Sequence, residues 1–230
     1  MRIFFVLLLS MSFYQASWAK EEIVIAVRDD FSYSKLYVEI LTEAYRRINQ
    51  PVSFSYLPGG SSLKYSNSGE LNIGGEAGRL AGVLNTYSNL RKIAVPIYYS
   101  ELTIFSNNKN MLVNSWEELN EFNVVTRIGY KFVINKLKGQ RLKVVENTDI
   151  ALLLVNKNRA DVAVLSMGDG IKAINRLKLD NVYPITPVLE KLPVFHMLNK
   201  RHESLIPKLE LVLREMEKEG LLVKFSKKYE

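Results

Sequence analysis

Arg79 ends the segment Gly74-Gly75-Glu76-Ala77-Gly78-Arg79. A guanidinium presents a planar fork of donors that matches a carboxylate, so Arg79 reads as a bidentate anion-binding group. It reads also as one half of an ion pair with Glu76. Phe31 and Tyr33 follow the first apolar segment, and Tyr98 and Tyr99 lie in a later extended one. Aromatic walls with a polar tip suit a small amphipathic ligand, and suit packing between elements equally well. Asp30 reads as an exposed turn residue or as a partner for a ligand ammonium. Arg127, Gly129, Tyr130 and Lys131 occupy a strand-to-helix turn whose backbone amides can hold an anionic group.

Other chemistries find little support. The chain has no cysteine, which removes thiolate metal sites and cysteine nucleophiles. His196 and His202 are six residues apart, a spacing that shares no helical face, and no acidic residue completes a metal pattern around them. No Ser/His/Asp set stands out, since that triad is recognised by geometry rather than by spacing. Glu76 and Asp169 are the general acid or base candidates. The glycine-rich segment departs from the G-x-G-x-x-G dinucleotide spacing and does not follow the first strand of its unit. It reads as a tight turn where backbone comes close to a neighbour. No cofactor is expected.

These residues need elements to position them. Residues 22–27 form a short apolar run, read as a buried strand. Residues 34–48 carry Tyr37, Leu41, Ala44 and Ile48 at helical spacing, with Ile40 and Tyr45 widening the stripe. Asn49-Gln50-Pro51 stops that helix. Residues 52–56 alternate with period two, as a strand with one wet face does, and Pro58-Gly59-Gly60 closes the unit. Strand, helix, strand in this order indicates an α/β fold with a parallel sheet. Residues 92–97 and 102–105 are strand-like. Ser115-Trp116-Glu117-Glu118 has the form of a capping box. A second α/β pattern follows, with strands at 124–125, 142–145 and 161–165 and helices after Tyr130, at 151–155 and at 170–177. A further extended run covers 192–198. The last long helix, 204–219, buries Leu205, Leu209, Val212 and Met216 and stops at Gly220. Two extended segments, 92–105 and 182–198, read as crossovers between the two units.

Bulk properties fit a well-packed globular chain. Of 230 residues, 47% are hydrophobic and 24% charged, a composition that excludes disorder and low complexity. Met1 and Arg2 precede a short apolar run, and Ser17-Trp18-Ala19 places small residues at the −3 and −1 positions of a cleavage site. Residues 1–19 therefore read as a secretory signal peptide, with the mature chain starting at Lys20 and working in the periplasm. The net charge of +7 is dispersed. Its densest groups, Arg46-Arg47, Lys200-Arg201-His202 and Lys227-Lys228, read as solvated helix faces. Nucleic acid is not an expected partner, since the charge forms no concentrated patch. A mild positive field does favour anionic ligands.

Several segments in order carry a resemblance to a known family. They are the strand at 23–27; Gly75-Glu76-Ala77-Gly78-Arg79-Leu80-Ala81-Gly82 followed by Tyr87-Ser88-Asn89-Leu90 and Val95-Pro96-Ile97; the strand-turn-helix 124–131 with Ile128-Gly129-Tyr130 at its turn; Arg159-Ala160-Asp161-Val162-Ala163-Val164; and the ending Glu219-Gly220-Leu221-Leu222-Val223-Lys224-Phe225. Together they resemble the type II periplasmic solute-binding proteins of family 3, which includes amino-acid-binding components of ABC transporters. The resemblance implies a two-lobed α/β type II periplasmic-binding-protein fold with two hinge crossovers. Lobe one would comprise residues 20–100 and 193–230, and lobe two residues 101–192. It also implies a non-catalytic, monomeric protein that closes on a small anionic or zwitterionic solute and presents it to an ABC permease or a membrane sensor.

The resemblance places a carboxylate-binding arginine where Arg79 stands and an aromatic against the ligand where Phe31 and Tyr33 stand. Amino-acid binders of this family carry an Asp just after the strand that begins at Asp161, to pair with the ligand's ammonium. Here that position is Ser166, followed by Met167-Gly168-Asp169. Either Asp169 takes the role through a loop shift, or the ligand has no ammonium in that place. Two further functions stay open. Some relatives are dehydratases of small carboxylic acids, and a signalling module would use exposed lobe surfaces instead of the cleft.

Overall fold

The structure is a computed structural model that describes residues 20–29 and 31–229. The expected signal peptide and Asp30 lie outside the described residues.

The chain begins with strand β1 (Ile23–Arg28), helix α1 (Ser34–Arg47) and strand β2 (Val52–Leu57). The two strands pair in parallel, Ile23 opposite Val52 through Arg28 opposite Leu57. Helix α1 buries Leu36, Tyr37, Ile40, Leu41, Ala44 and Tyr45, the stripe that a 3.6-residue period dictates. Arg46 and Arg47 occupy its last turn, where cations complement the negative end of the helix dipole. Helix α2 (Gly59–Ser68) and strand β3 (Ile73–Leu80) follow, and then the long strand β4 (Leu90–Ser106). The second unit holds β5 (Val124–Arg127), α3 (Lys131–Lys136), β6 (Leu142–Val145), α4 (Thr148–Asn156), β7 (Val162–Ser166) and α5 (Met167–Leu177). The short β8 (Tyr183–Pro184) leads to β9 (Glu190–Asn199), and α6 (Ile206–Lys218) and α7 (Leu221–Ser226) complete the described chain.

One sheet runs through the molecule in the order β2-β1-β3-β9-β4-β7-β5-β6, with β8 on the side of β4. The β2-β1-β3 order of the first unit recurs as β6-β5-β7 in the second. Strands β4 and β9 pair antiparallel between the two units and form the crossovers. Their register slips between Lys92 and Pro96 and again before Tyr98, where proline has no N–H to offer the ladder. This is the two-lobed α/β architecture that the sequence order implies.

Each lobe has its own core. In the first, β1 and α1 pack with Leu209, Val212, Leu213 and Met216 of α6. In the second, alternate residues of β7 serve opposite faces, as a strand's period of two requires. Ala163 and Leu165 pack with α4 and α5, while Val162 and Val164 pack with Leu119, Val133 and Leu137.

Two local expectations are corrected. The segment from Gly74 to Arg79 is not a turn but lies within β3. Its glycines do answer to close approach, from within a strand: a Cβ on Gly75 would lie 2.4 Å from the Met197 carbonyl, and one on Gly78 would lie 2.6 Å from the Tyr37 ring. The segment after Pro58 is not merely a closing loop. It begins helix α2, whose polar sequence Gly-Gly-Ser-Ser-Leu-Lys-Tyr-Ser-Asn-Ser carries little apolar periodicity and which stops at Gly69 with φ of 79°.

Candidate functional site

The C-terminal ends of β1 and β3 bring two arginines together. Arg28 ends β1 and Arg79 lies near the end of β3, and both approach Gly59 at the start of α2. A Cβ on Gly59 would lie 3.2 Å from Arg28 Nε and 3.7 Å from both terminal nitrogens of Arg79. The missing side chain therefore leaves space that two guanidinium groups share. Arg28 also stands over the Phe31 ring, 4.9 Å from its centroid, a cation–π arrangement.

Arg79 is held in place from beneath. Its Nε donates to Glu76 Oε1 at 3.0 Å, and one terminal nitrogen donates to the Gly59 carbonyl at 2.7 Å and to Ser62 Oγ at 3.1 Å. Glu76 is fully buried and accepts the Ser62 hydroxyl on its other oxygen. Burial pushes the Glu76 carboxyl up, against the opposing pull of Arg79, the Ser62 hydroxyl and Arg28. Glu76 and Arg79 thus form the ion pair that the sequence left open as one reading, and the pair aims the guanidinium toward Gly59.

An aromatic group adjoins the arginines. Tyr33 and Tyr98 have ring centroids 4.6 Å apart, Phe31 lies 5.8 Å from Tyr33 and 5.7 Å from Tyr37, and Tyr37 lies 6.1 Å from Tyr98. Tyr99 does not join them. Consecutive strand residues point to opposite faces, and Tyr99 is 51% exposed. With Tyr33 and Tyr98 of that group, and with Lys172, Val223 and Tyr229, it lines a cavity of about 580 Å³ between β4, α5 and α7. Arg79 and Arg127 do not line that cavity.

The second lobe supplies a compact polar set. Arg127, at the end of β5, stacks over the Tyr130 ring at 4.8 Å and places a terminal nitrogen 3.9 Å from Asp169 Oδ2. The Tyr130 hydroxyl lies 2.6 Å from Asp169 Oδ2, 3.1 Å from Ser166 Oγ and 3.3 Å from Ser166 N. Its single proton goes to the carboxylate, so Ser166 donates in return. Burial and the Asp169 charge push the Tyr130 hydroxyl up. Ser166 caps α5 and accepts the Asp169 N–H at 3.3 Å. Gly129 (φ of 91°) and Lys131 are exposed on the turn beside this set.

The lobes meet at Tyr33. A Cβ on Gly168 would lie 2.1 Å from the Tyr33 hydroxyl, so the ring rests on the backbone at the start of α5. Lys172 of α5 donates to the Ser32 carbonyl at 3.1 Å.

Arg28, Ser62 and Tyr37 are members of this region that sequence reasoning did not single out. The legible signal for Arg28 was its place at the carboxyl end of the first strand, where α/β sheets bind ligands. His196 is a core residue: its Nδ1 lies 2.8 Å from the Glu76 carbonyl and its Nε2 2.9 Å from the Tyr45 hydroxyl. The carbonyl requires a proton on Nδ1, so Nε2 accepts from Tyr45. Among the described residues, no group of three or more His, Asp or Glu side chains is placed to hold a metal ion, and no helix is long and apolar enough to cross a membrane.

The fold is that of the type II periplasmic-binding proteins. A crystallised histidine kinase sensor domain with similarity to periplasmic binding proteins superimposes with a TM-score of 0.71 at 16% identity, covering 92% of this chain and 96% of that one. The GluR0 ligand-binding core in complex with L-glutamate gives 0.72 at 10% identity, covering 93% and 99%. The probable amino-acid ABC transporter extracellular-binding protein ytmK of Bacillus subtilis gives 0.71 at 18% identity, covering 91% and 98%. In sequence, an uncharacterized protein of Shewanella oneidensis is 24% identical over 201 residues, covering 81% of this chain and 73% of that one. No family model matches the chain.

Proposed function

We propose that this protein is a periplasmic solute-binding protein that closes on a small anionic or zwitterionic solute and presents it to a membrane partner. The observation that carries the reading is the convergence of Arg28 and Arg79 on Gly59 beside Phe31, Tyr33, Tyr37 and Tyr98. Two guanidinium groups suit a carboxylate, and the rings suit the apolar body of the same molecule. Residues 20–100 and 193–230 form lobe one in this reading, residues 101–192 form lobe two, and the two crossovers act as the hinge. Residues 1–19 direct export, and the mature chain acts as a monomer. Arg127, Tyr130, Ser166 and Asp169 close on the solute from the second lobe.

Glu76 and Asp169 are both engaged by internal partners, which supports binding over acid–base turnover. The likeness to a histidine kinase sensor domain favours a sensor as membrane partner no less than the likeness to a transporter protein favours a permease. Ligand that binds only the folded state raises stability, by about 2.7 kcal/mol at one hundred times its Kd. The test is a thermal-shift series with the proteinogenic L-amino acids, short dicarboxylic acids and small peptides. A raised unfolding midpoint with a carboxylate-bearing member is expected, and a flat response across the series counts against the reading.

A further inference from the structure

Helix α1 buries two tyrosines that are treated differently. Tyr45 gives its hydroxyl to His196 Nε2 at 2.9 Å. Tyr37, two turns earlier, is 3% exposed, yet its hydroxyl has no hydrogen-bond partner among the described residues. A buried hydroxyl without a partner costs stability that a phenylalanine of the same shape would not. The helical stripe requires only an apolar ring at this position.

The surroundings of Tyr37 belong to the candidate site. Its ring packs against Phe31 and Tyr98 and lies on the backbone of Gly78, where a Cβ would come within 2.6 Å. Gly78 immediately precedes Arg79. The charges of Arg28 and Arg79 from the first lobe and of Asp169 from the second all act on the hydroxyl, as does Tyr33, while burial pushes it well up. It is therefore a neutral donor over the whole working range of pH, with two cations near it that draw an anion.

We propose that the Tyr37 hydroxyl is a ligand-binding group that donates its hydrogen bond to a carboxylate oxygen of the solute attracted by Arg28 and Arg79. The inference rests on the solute-binding reading and deepens it: the solute must carry an acceptor oxygen deep enough to reach α1, behind the aromatic rings.

Isothermal titration of wild type and Tyr37→Phe with L-glutamate, L-arginine, succinate and inorganic phosphate tests it, alongside the unfolding midpoint of each protein without ligand. For a carboxylate that binds wild type, Tyr37→Phe is expected to raise Kd about tenfold or more, with an unliganded midpoint at or above that of wild type. An unchanged Kd overturns the role of Tyr37 and leaves solute binding standing. A lowered unliganded midpoint also overturns it, because the hydroxyl then has a structural partner. Binding of phosphate alone overturns the carboxylate assignment. Absence of binding by all four probes to wild type counts against the role of Tyr37 and the solute-binding reading together.

Discussion

The Tyr33 hydroxyl occupies the space that a side chain at position 168 would need: a Cβ on Gly168 would lie 2.1 Å from it. Tyr33 follows β1 of the first lobe, and Gly168 stands in the first turn of α5 in the second. The approach of one lobe to the other is thus set at this point by the absence of a methyl group.

Gly168→Ala should hold the lobes apart. Either the Tyr33 ring or helix α5 must shift, a clash of a kind that costs about 1–3 kcal/mol in a packed contact. Small-angle scattering should show a larger radius of gyration for the variant than for wild type. Identical scattering with an unchanged unfolding midpoint would show that the contact does not limit closure.

Gly59→Ala tests the arginine convergence without attacking the core. Alanine at the first position of α2 favours the helix, by about 0.4–1 kcal/mol relative to glycine. Its Cβ would stand 3.2 Å from Arg28 Nε and displace that guanidinium. The expected result is an unfolding midpoint equal to or above wild type together with weaker binding of carboxylates. Unchanged binding would mean that the solute does not use the space between Arg28 and Arg79.

Glu76→Gln should be costly. The substitution removes the charge that Arg79 pairs with in a site where the Glu76 side chain is 1% and the Arg79 side chain 11% exposed. Breaking a buried pair from one side costs about 3 kcal/mol or more. Urea unfolding of the two proteins measures it. A loss near zero would mean that Glu76 is already protonated in the folded state, the direction in which burial pushes it.

Stability should also fall with acidity through His196. Burial between the Glu76 carbonyl and Tyr45 pushes this imidazole down from 6.5 to about 4. The unfolded chain takes up the proton first, so the stabilising effect is complete above pH 6.5 and is lost as pH falls to about 4. The loss amounts to about 3 kcal/mol. Urea unfolding at a series of pH values should show this slope in wild type and a shallower one in His196→Gln. Equal slopes would assign the acid sensitivity to carboxylates instead.

Much of the fold was legible because it is written in local spacing. The stripe from Tyr37 to Ile48 and the short apolar runs of β1 and β7 each announce an element by local pattern alone. Helix α2 escaped because its residues are polar and glycine-led, so its stability comes from packing against β1 and β3 and not from a pattern. The glycines of 74–79 announced close approach correctly, but close approach occurs inside strands as well as in turns, and no spacing distinguishes the two.

By itself the sequence determined the order of most elements, α2 and β3 excepted, together with the α/β alternation, the two crossovers and the residue types that suit an anionic solute. Tertiary structure decided which of those residues meet. Arg79 is aimed by Glu76 and Ser62, Arg28 joins it over Gly59, Tyr98 packs on Tyr33 where Tyr99 stays half exposed, and Tyr45 satisfies a histidine 151 positions away while the Tyr37 hydroxyl has no hydrogen-bond partner among the described residues. Periodicity is a property of neighbours along the chain. Contact between distant residues depends on strand register and on where each crossover returns, and both are settled only when the whole sheet assembles.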